Sequence, residues 1–299
     1  MNEPRTSNLE LRVWGLLLVK VIDSLRWGEA RLTEKGITNA RFDADMLLAW
    51  VLNVSRPQLY LDGDRNLSEL EEADFRGGII RRAGNEPLQY ILKRQEFMGL
   101  SFYVDERVLI PRADSEILVE KWLEVVRQEE DERQERKIKV ADLCTGSGAL
   151  AISMAHYYPK AEVVGTDLSS DALEVARQNS QSLGVSVQWR QGDFLEPILG
   201  QLWDYIITNP PYVSKEEYKQ CDPEIFREPS MAFLGGQDGL DYYRRLAENV
   251  RSILNPQGML LMEIGCDQAE AVCRLFQMRG FETQVFPDLA GRDRVIIAR

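Results

Sequence analysis

The chain has 299 residues, 44% apolar and 28% charged, a balance that allows a sizeable buried core and does not read as disorder. Its 48 acidic side chains outnumber the 36 basic ones and leave a net charge of -12, which repels an extended phosphate backbone and argues against direct nucleic-acid binding. One histidine and four cysteines without C-x-x-C spacing argue against a metal site or a Ser-His or Cys-His nucleophile pair, and fit a reducing cytoplasm.

The apolar run over 13–21 follows Arg5 and Arg12 like a signal-peptide core, yet Lys20 interrupts it and no small-residue cleavage site follows. Trp14, Leu17, Leu18, Val21, Ile22 and Leu25 recur at helical spacing and predict an amphipathic helix instead. No stretch is long enough to span a membrane. Ala44, Leu47, Leu48 and Val51 mark a second apolar face, and Ser68 with Glu71 reads as a capping box opening a third helix through Ile79 and Ile80. Residues 1–88 thus read as a small N-terminal helical bundle.

Over 89–112 the period changes to two. Leu100, Phe102 and Val104, then Val108 and Ile110, alternate around Asp105-Glu106 and predict a β-hairpin linking two domains. Pro111 ends its second strand, and Asp114 or Ser115 is placed to cap a helix with Leu118, Trp122 and Val125 on its apolar face. The charged run over 128–139 interleaves its signs and reads as a solvated helix end and loop without function.

Residues 113–299 form an α/β domain in which strands alternate with helices. Strands are predicted near 138–143, 162–167, 185–190, 203–208 and 258–264, and helices near 149–158, 170–183, 240–254 and 267–279. Two last runs, 281–286 and 293–298, are too close for a parallel crossover and should pair antiparallel, completing a mostly parallel seven-stranded sheet.

Cys144-Thr145-Gly146-Ser147-Gly148 follows the first strand of that sheet and opens a helix, where glycines let a ligand approach backbone N–H groups. Asp167, at the end of the next strand and about 20 residues on, is placed to accept hydrogen bonds from ribose hydroxyls. It could also be a plain helix cap, although Ser169 and Ser170 serve that role equally well. After the third strand, Asp193 could accept from an adenine amine while Phe194 packs on the ring. A dinucleotide enzyme would share the ribose acid, but the G-x-G-x-x-G pattern is absent, with Cys144 at its first place and Ala149 at its sixth.

The fourth strand runs into Asn209-Pro210-Pro211-Tyr212. Ligands of open α/β sheets bind beyond the carboxyl ends of the strands, and two prolines make this loop rigid and poor in donors. An amide nitrogen is a weak nucleophile because its lone pair is delocalised. If the Asn209 side-chain oxygen and the Pro210 carbonyl accept its N–H groups while Tyr212 packs on its plane, the nitrogen is oriented and made more electron-rich for in-line attack on a methyl group. No strong general base is needed, which suits a chain with one histidine.

Together with Asn85-Glu86-Pro87-Leu88-Gln89-Tyr90-Ile91, Phe97 to Phe102, Val108 to Arg112, Glu228 to Leu240 and Asp288 to Val295, these motifs closely resemble the HemK/PrmC family of glutamine methyltransferases that modify peptide chain release factors. The resemblance implies a helical domain (1–88) that helps recognise the protein substrate, a hairpin linker (89–112) and a class I, Rossmann-like methyltransferase domain (113–299). It implies that residues 144–148, Asp167, Phe194 and Asn209 contact S-adenosylmethionine, and that Asn209 to Tyr212 hold the glutamine of a Gly-Gly-Gln motif. The chain is expected to act as a cytoplasmic monomer. It departs from the family pattern at Cys144, where glycine is common, and in Arg112-Ala113-Asp114-Ser115-Glu116, which replaces Arg-Pro-Glu-Thr-Glu and leaves the roles of Arg112 and Glu116 open.

Other readings compete. Asn-Pro-Pro-Tyr loops also serve exocyclic amines of nucleic-acid bases, which the net charge of -12 disfavours. A ribosomal-protein glutamine is a second alternative acceptor. The chain's own Gly235-Gly236-Gln237 could suggest a release factor, but it lies in a loop that the family shares. A binding module without catalysis would not need both halves of the site.

Overall fold

The computed structural model describes residues 19–128 and 137–299. Trp14, Leu17 and Leu18 of the first predicted helix, and 129–136 of the charged run, lie outside the described residues. The chain divides into two compact units, Met1–Leu88 and Gln89–Arg299.

In the first unit, α1 (Val21–Glu34), α2 (Ala40–Leu52), α3 (Arg56–Leu61) and α4 (Glu69–Ala83) surround a core in which Leu25, Leu32, Ala44, Leu47, Leu48 and Phe75 are fully buried. The capping box forms: Glu71 N–H donates to Ser68 Oγ at 3.3 Å and Ser68 N–H to Glu71 Oε2 at 2.8 Å. The predicted apolar face of α4 is narrower than expected, since Ile79 is buried while Ile80 is 64% exposed. Gly28 lets α1 approach α4, because a β-carbon there would lie 2.8 Å from the Phe75 ring. Asp43 and Arg82 form a buried ion pair at 2.6 Å between α2 and α4.

The short helix α5 (Leu88–Leu92) is followed by a hairpin, but not the one the alternation predicts. Strands β1 (Gln95–Phe97) and β2 (Leu100–Phe102) pair antiparallel around Met98-Gly99, whose φ values of 50° and 70° suit a two-residue hairpin turn. Glu116 accepts the Met98 N–H at 2.6 Å and holds this non-glycine residue in the left-handed region. The segment around Asp105-Glu106 forms no strand pair because its polar backbone groups are engaged elsewhere. Asp105 accepts from Arg107 N–H at 3.1 Å, the Val108 carbonyl from the Tyr90 hydroxyl at 2.5 Å, and Glu228 from Ile110 N–H at 2.9 Å. Val104, Val108 and Ile110 are nevertheless buried, so their alternation reports burial rather than pairing.

Helix α6 (Glu116–Gln128) begins after one 3-10 turn, Ala113–Ser115. The 3-10 turn has no side-chain cap at Arg112, and the Ser115 oxygen accepts a hydrogen bond from the Asn209 amide. The buried face of α6 is Leu118, Val119, Trp122, Leu123 and Val126, so predicted Val125 sits at its margin.

Seven strands follow: β3 (Ile138–Leu143), β4 (Ala161–Asp167), β5 (Gln188–Gln191), β6 (Trp203–Thr208), β7 (Leu254–Glu263), β8 (Thr283–Pro287) and β9 (Asp293–Ala298). Their order in the sheet is β5-β4-β3-β6-β7-β9-β8. The first five are parallel, and β9 pairs antiparallel with both β7 and β8. The intervening helices are α7 (Ala149–Tyr157), α8 (Ser170–Ser182), a single turn α9 (Lys215–Tyr218), α10 (Asp241–Asn249) and α11 (Ala269–Gln277). Helix α10 is shorter than predicted, because a 3-10 turn, Val250–Ser252, ends it before β7.

Successive residues of the central strands point into two different cores. Val140, Tyr205, Ile207 and Leu261 pack with Trp122 of α6 and Ile152 of α7. Ala141, Ile206, Leu260 and Met262 pack with Tyr243 and Leu246 of α10 and Phe276 of α11. This double burial is why the strands read as continuous apolar runs. Among the described residues, no helix is long and apolar enough to cross a membrane.

Candidate active site

The order of the parallel strands reverses between β3 and β6, the place where such sheets open a crevice at their carboxyl ends. Register aligns the exits. Leu143 pairs with Thr166 of β4 on one side and with Thr208 of β6 on the other. Cys144, Asp167 and Asn209 therefore leave the sheet at one level from three neighbouring strands, spaced about 4.8 Å apart.

The turn after β3 is left-handed at three of its five residues, with φ of 58° at Cys144, 54° at Gly146 and 82° at Gly148. A β-carbon on Gly148 would lie 2.9 Å from the Trp189 ring, so glycine is required there for packing as well as for conformation. Gly146 has open space beside it. Asp142 anchors the turn from below: its Oδ2 accepts from the Thr145 hydroxyl at 2.5 Å and from Ala151 N–H at 3.2 Å. Its other oxygen is buried without a partner, and burial pushes its carboxyl up to about 7. The hydroxyl-bearing Ser147 is buried, and its carbonyl accepts from the Asn179 side chain at 2.9 Å.

Asp167 spans the turn and the next helix. Its Oδ2 accepts the Gly146 N–H and its Oδ1 the Ser169 N–H, both at 2.9 Å. Each oxygen keeps a second lone pair. Burial raises its carboxyl above the ordinary value even though these N–H groups favour the charged form. The cap of α8 is Ser169, whose hydroxyl accepts from Ala172 N–H at 3.1 Å, so the capping role is already filled.

Asp193 is less free than the sequence suggests: Arg245 of α10 donates to its Oδ2 at 2.9 Å, leaving Oδ1 open. Phe194 is buried in the left-handed region at φ 53°, edge-on to the Tyr242 ring at 4.9 Å. The Arg245 guanidinium lies 5.1 Å from the Phe194 centroid. Around these groups runs a cleft of about 710 Å³, mouth included, bordered also by Leu109, Leu168, Met231 and Asn209.

On the other side of the reversal, Pro210 and Pro211 are buried and Asn209 donates through Nδ2 to Ser115 Oγ at 3.1 Å. The Tyr212 hydroxyl donates to Glu263 Oε1 at 3.2 Å; burial, then the Glu263 charge, pushes the phenol well above its ordinary value. Gln268 donates to the Tyr212 carbonyl at 2.9 Å, and Gly235 N–H to the Val213 carbonyl at 2.9 Å. The Gly235-Gly236-Gln237 triplet is thereby accounted for: its first glycine braces the proline loop, and its Gln237 is exposed.

Arg112 and Glu116, whose roles the sequence leaves open, hold the framework. Arg112 pairs with Glu228, which also accepts the Ile110 N–H, and Glu116 caps the hairpin turn. Glu263, Tyr242 and Arg245 border or support the site without having been singled out from sequence, and Ser115, read there only as a helix cap, does so too. A Ser beside an acid and a Glu ending an apolar strand carry no local signal; sheet register brings Glu263 to Tyr212, and the turn before α6 brings Ser115 to Asn209. Among the described residues, no cluster of His, Cys, Asp and Glu could hold a metal ion.

Residues 23–92 match the family model described as the PrmC N-terminal domain, and 123–239 the one described as the methyltransferase small domain. A protein of Moorella thermoacetica named release factor glutamine methyltransferase is 42% identical over 277 residues, 91% of this chain and 96% of its own. One of the same name from Geobacter sulfurreducens is 40% identical over 282 residues, 94% and 95% of the two chains. In fold alone, the hMettl16 catalytic domain solved in complex with MAT2A 3'UTR hairpin 6 is similar at a TM-score of 0.53, covering 74% of this chain and 81% of that one at 14% identity. The second unit has the class I methyltransferase fold, and the chain belongs to the release factor glutamine methyltransferase family.

Proposed function

We propose that this chain transfers a methyl group from S-adenosylmethionine to the side-chain amide nitrogen of the glutamine in the Gly-Gly-Gln motif of peptide chain release factors. It does so as a monomer in the cytoplasm, without direct nucleic-acid contact. Residues 1–88 help recognise the release factor, 113–299 carry the chemistry, and 89–112 join them.

The residues of the cleft fit the cofactor. It is cationic at its sulfonium, and the cleft sets the carboxyls of Asp167 and Asp193 on its wall, the latter paired with Arg245. The remaining lone pairs of Asp167 suit two vicinal hydroxyls, the open side of Gly146 admits close backbone approach, and Phe194 with Leu168 gives an apolar seat for a purine. Cys144, Thr145, Ser147 and Gly148 shape the turn, and Asp193 Oδ1 is left for an exocyclic amine.

When bound, S-adenosylmethionine supplies an electrophilic methyl group whose carbon–sulfur pair leaves with sulfur as the amide nitrogen bonds to carbon. The chain's own task is to hold that nitrogen. Asn209 Oδ1 and the Pro210 carbonyl accept its two N–H groups, withdrawing it from water and fixing its direction. Pro210 and Pro211 keep the loop from adapting to a misplaced acceptor, and Tyr212 bounds the planar group. One proton leaves the methylated nitrogen afterwards, so no strong base need stand in the site.

The observation that carries this reading is the common exit level of Cys144 and Asn209 from paired strands, which sets the acceptor loop beside the cofactor turn. Incubation with methyl-labelled cofactor and purified release factor should label the factor and spare both nucleic acid and a factor with Ala for the motif glutamine. Equal labelling of that Ala variant rejects the assignment.

A further inference from the structure

Asn209 can hold an acceptor amide only if Oδ1, and not Nδ2, faces it. The two ends of an asparagine amide are nearly the same shape, so the side chain itself does not choose between them. A reversed amide would set its own N–H groups against those of the acceptor.

Ser115 begins the choice. Its Oγ receives the Asn209 Nδ2 proton at 3.1 Å, and the residue is 4% exposed, so water does not compete freely for either group. Yet a hydroxyl donates as well as accepts. With its proton rotated, Ser115 would serve a reversed Asn209 equally well.

Glu263, at the end of β7, removes that ambiguity. It is 1% exposed, its Oε1 accepts the Tyr212 hydroxyl, and its Oε2 is buried without a hydrogen-bond partner. The Ser115 hydroxyl is among the groups that favour its charged form. An ionised carboxylate only accepts. A Ser115 proton turned toward that unpartnered oxygen would leave the Ser115 lone pair for Asn209 Nδ2 and Oδ1 for the acceptor.

We propose that Ser115 and Glu263 act as a directional relay of positioning residues, which locks the Asn209 amide in the acceptor-holding sense and ties Tyr212 to the same buried acid. The inference rests on the reading of Asn209 as the residue that holds the acceptor nitrogen. Ser115 also borders the space beside Thr145 and Gly146, so a direct role on the cofactor is the alternative that the test must separate.

The test compares Ser115→Ala, Ser115→Thr, Glu263→Gln and Asn209→Ala by kcat, by KM for the release factor and by Kd for S-adenosylmethionine. Losing one orienting hydrogen bond should lower kcat of Ser115→Ala by about 10- to 100-fold. Cofactor Kd and release-factor KM should stay within about threefold, because these are properties of uniform binding. Ser115→Thr keeps the hydroxyl and should recover most of kcat. Glu263→Gln, which can donate to Ser115 as well as accept, should lose kcat while thermal melting shows it folded.

An unchanged kcat in Ser115→Ala, a defect confined to cofactor Kd, or no rescue by threonine overturns the relay. If Asn209→Ala is inactive while Ser115→Ala is fully active, the relay fails and the reading of Asn209 survives. Full activity of Asn209→Ala overturns both.

Discussion

A β-carbon on Gly235 would lie 2.5 Å from the carbonyl oxygen of Pro211. The next atoms it would meet are also backbone, Tyr212 Cα at 2.8 Å and the Gly239 oxygen at 2.9 Å, so no flexible side chain can yield. Gly235→Ala must move the proline loop or its brace. Overpacking of this kind costs about 1–3 kcal/mol. We expect kcat to fall at least about tenfold as the loop is misplaced, with cofactor Kd little changed because Gly235 borders the acceptor side. Stopped-flow binding of the cofactor beside steady-state turnover checks this; a variant with unaltered turnover contradicts the bracing role.

Asp142 gives a prediction about pH and stability. Its carboxyl, ordinarily near 3.8, is raised to about 7 by burial, with the Thr145 hydroxyl and Ala151 N–H opposing and the Asp167 charge assisting. The folded state therefore holds a proton that the unfolded chain has released between those values. Asp142's contribution to stability is fully present below about 4 and is lost as pH rises through about 7, a change of a few kcal/mol in order of magnitude. Melting temperature measured across pH 5 to 8 should fall less steeply in Asp142→Asn than in the parent. Parallel curves would show that this carboxyl does not titrate in that range.

Much of the fold was readable along the chain because β3, β6 and β9 are buried on both faces and their helices are amphipathic. The predicted limits of β3, β6 and β9 agree with the observed ones. The hairpin was misplaced for a physical reason. Val104, Val108 and Ile110 alternate as a strand would, yet backbone groups there are satisfied by Asp105 within the segment and by Tyr90 and Glu228 from other segments. The glycine turn, Asp167 and the Asn-Pro-Pro-Tyr loop were legible because each is local and sits at a strand end. Ser115 and Glu263 were not: Glu263 reaches Tyr212 only once β6 and β7 have paired, and Ser115 reaches Asn209 from the 3-10 turn before α6.

Asp167→Asn tests whether both carboxylate oxygens are needed. In the parent they accept from Gly146 and Ser169 N–H groups at once. An asparagine must turn its own NH₂ toward one of those donors. An unpaired, partly buried N–H costs about 1–3 kcal/mol, and the ribose hydroxyls lose an acceptor as well. We expect cofactor affinity to fall at least about tenfold by calorimetry, with a lower melting temperature. Retention of full affinity would remove Asp167 from the cofactor site.

Activity should also depend on pH through Glu263. Burial raises its carboxyl, while the Ser115 hydroxyl, the Arg294 guanidinium and the Tyr212 hydroxyl favour the charged form and Asp114 opposes it. Arg294 is itself held by Asp288 at 3.2 Å and approaches Asp114 at 3.5 Å. Because the relay to Asn209 needs an acceptor-only carboxylate, kcat should decline as pH falls through the raised Glu263 value. Protonation lets the acid donate to Ser115 and frees Asn209 to reverse. In Glu263→Gln that acid limb should vanish and leave a low, flat profile, whereas Asp167→Asn should keep the limb and change cofactor affinity instead. A parent profile that stays flat down to the onset of acid unfolding would mean that Glu263 braces Tyr212 and does not orient Asn209.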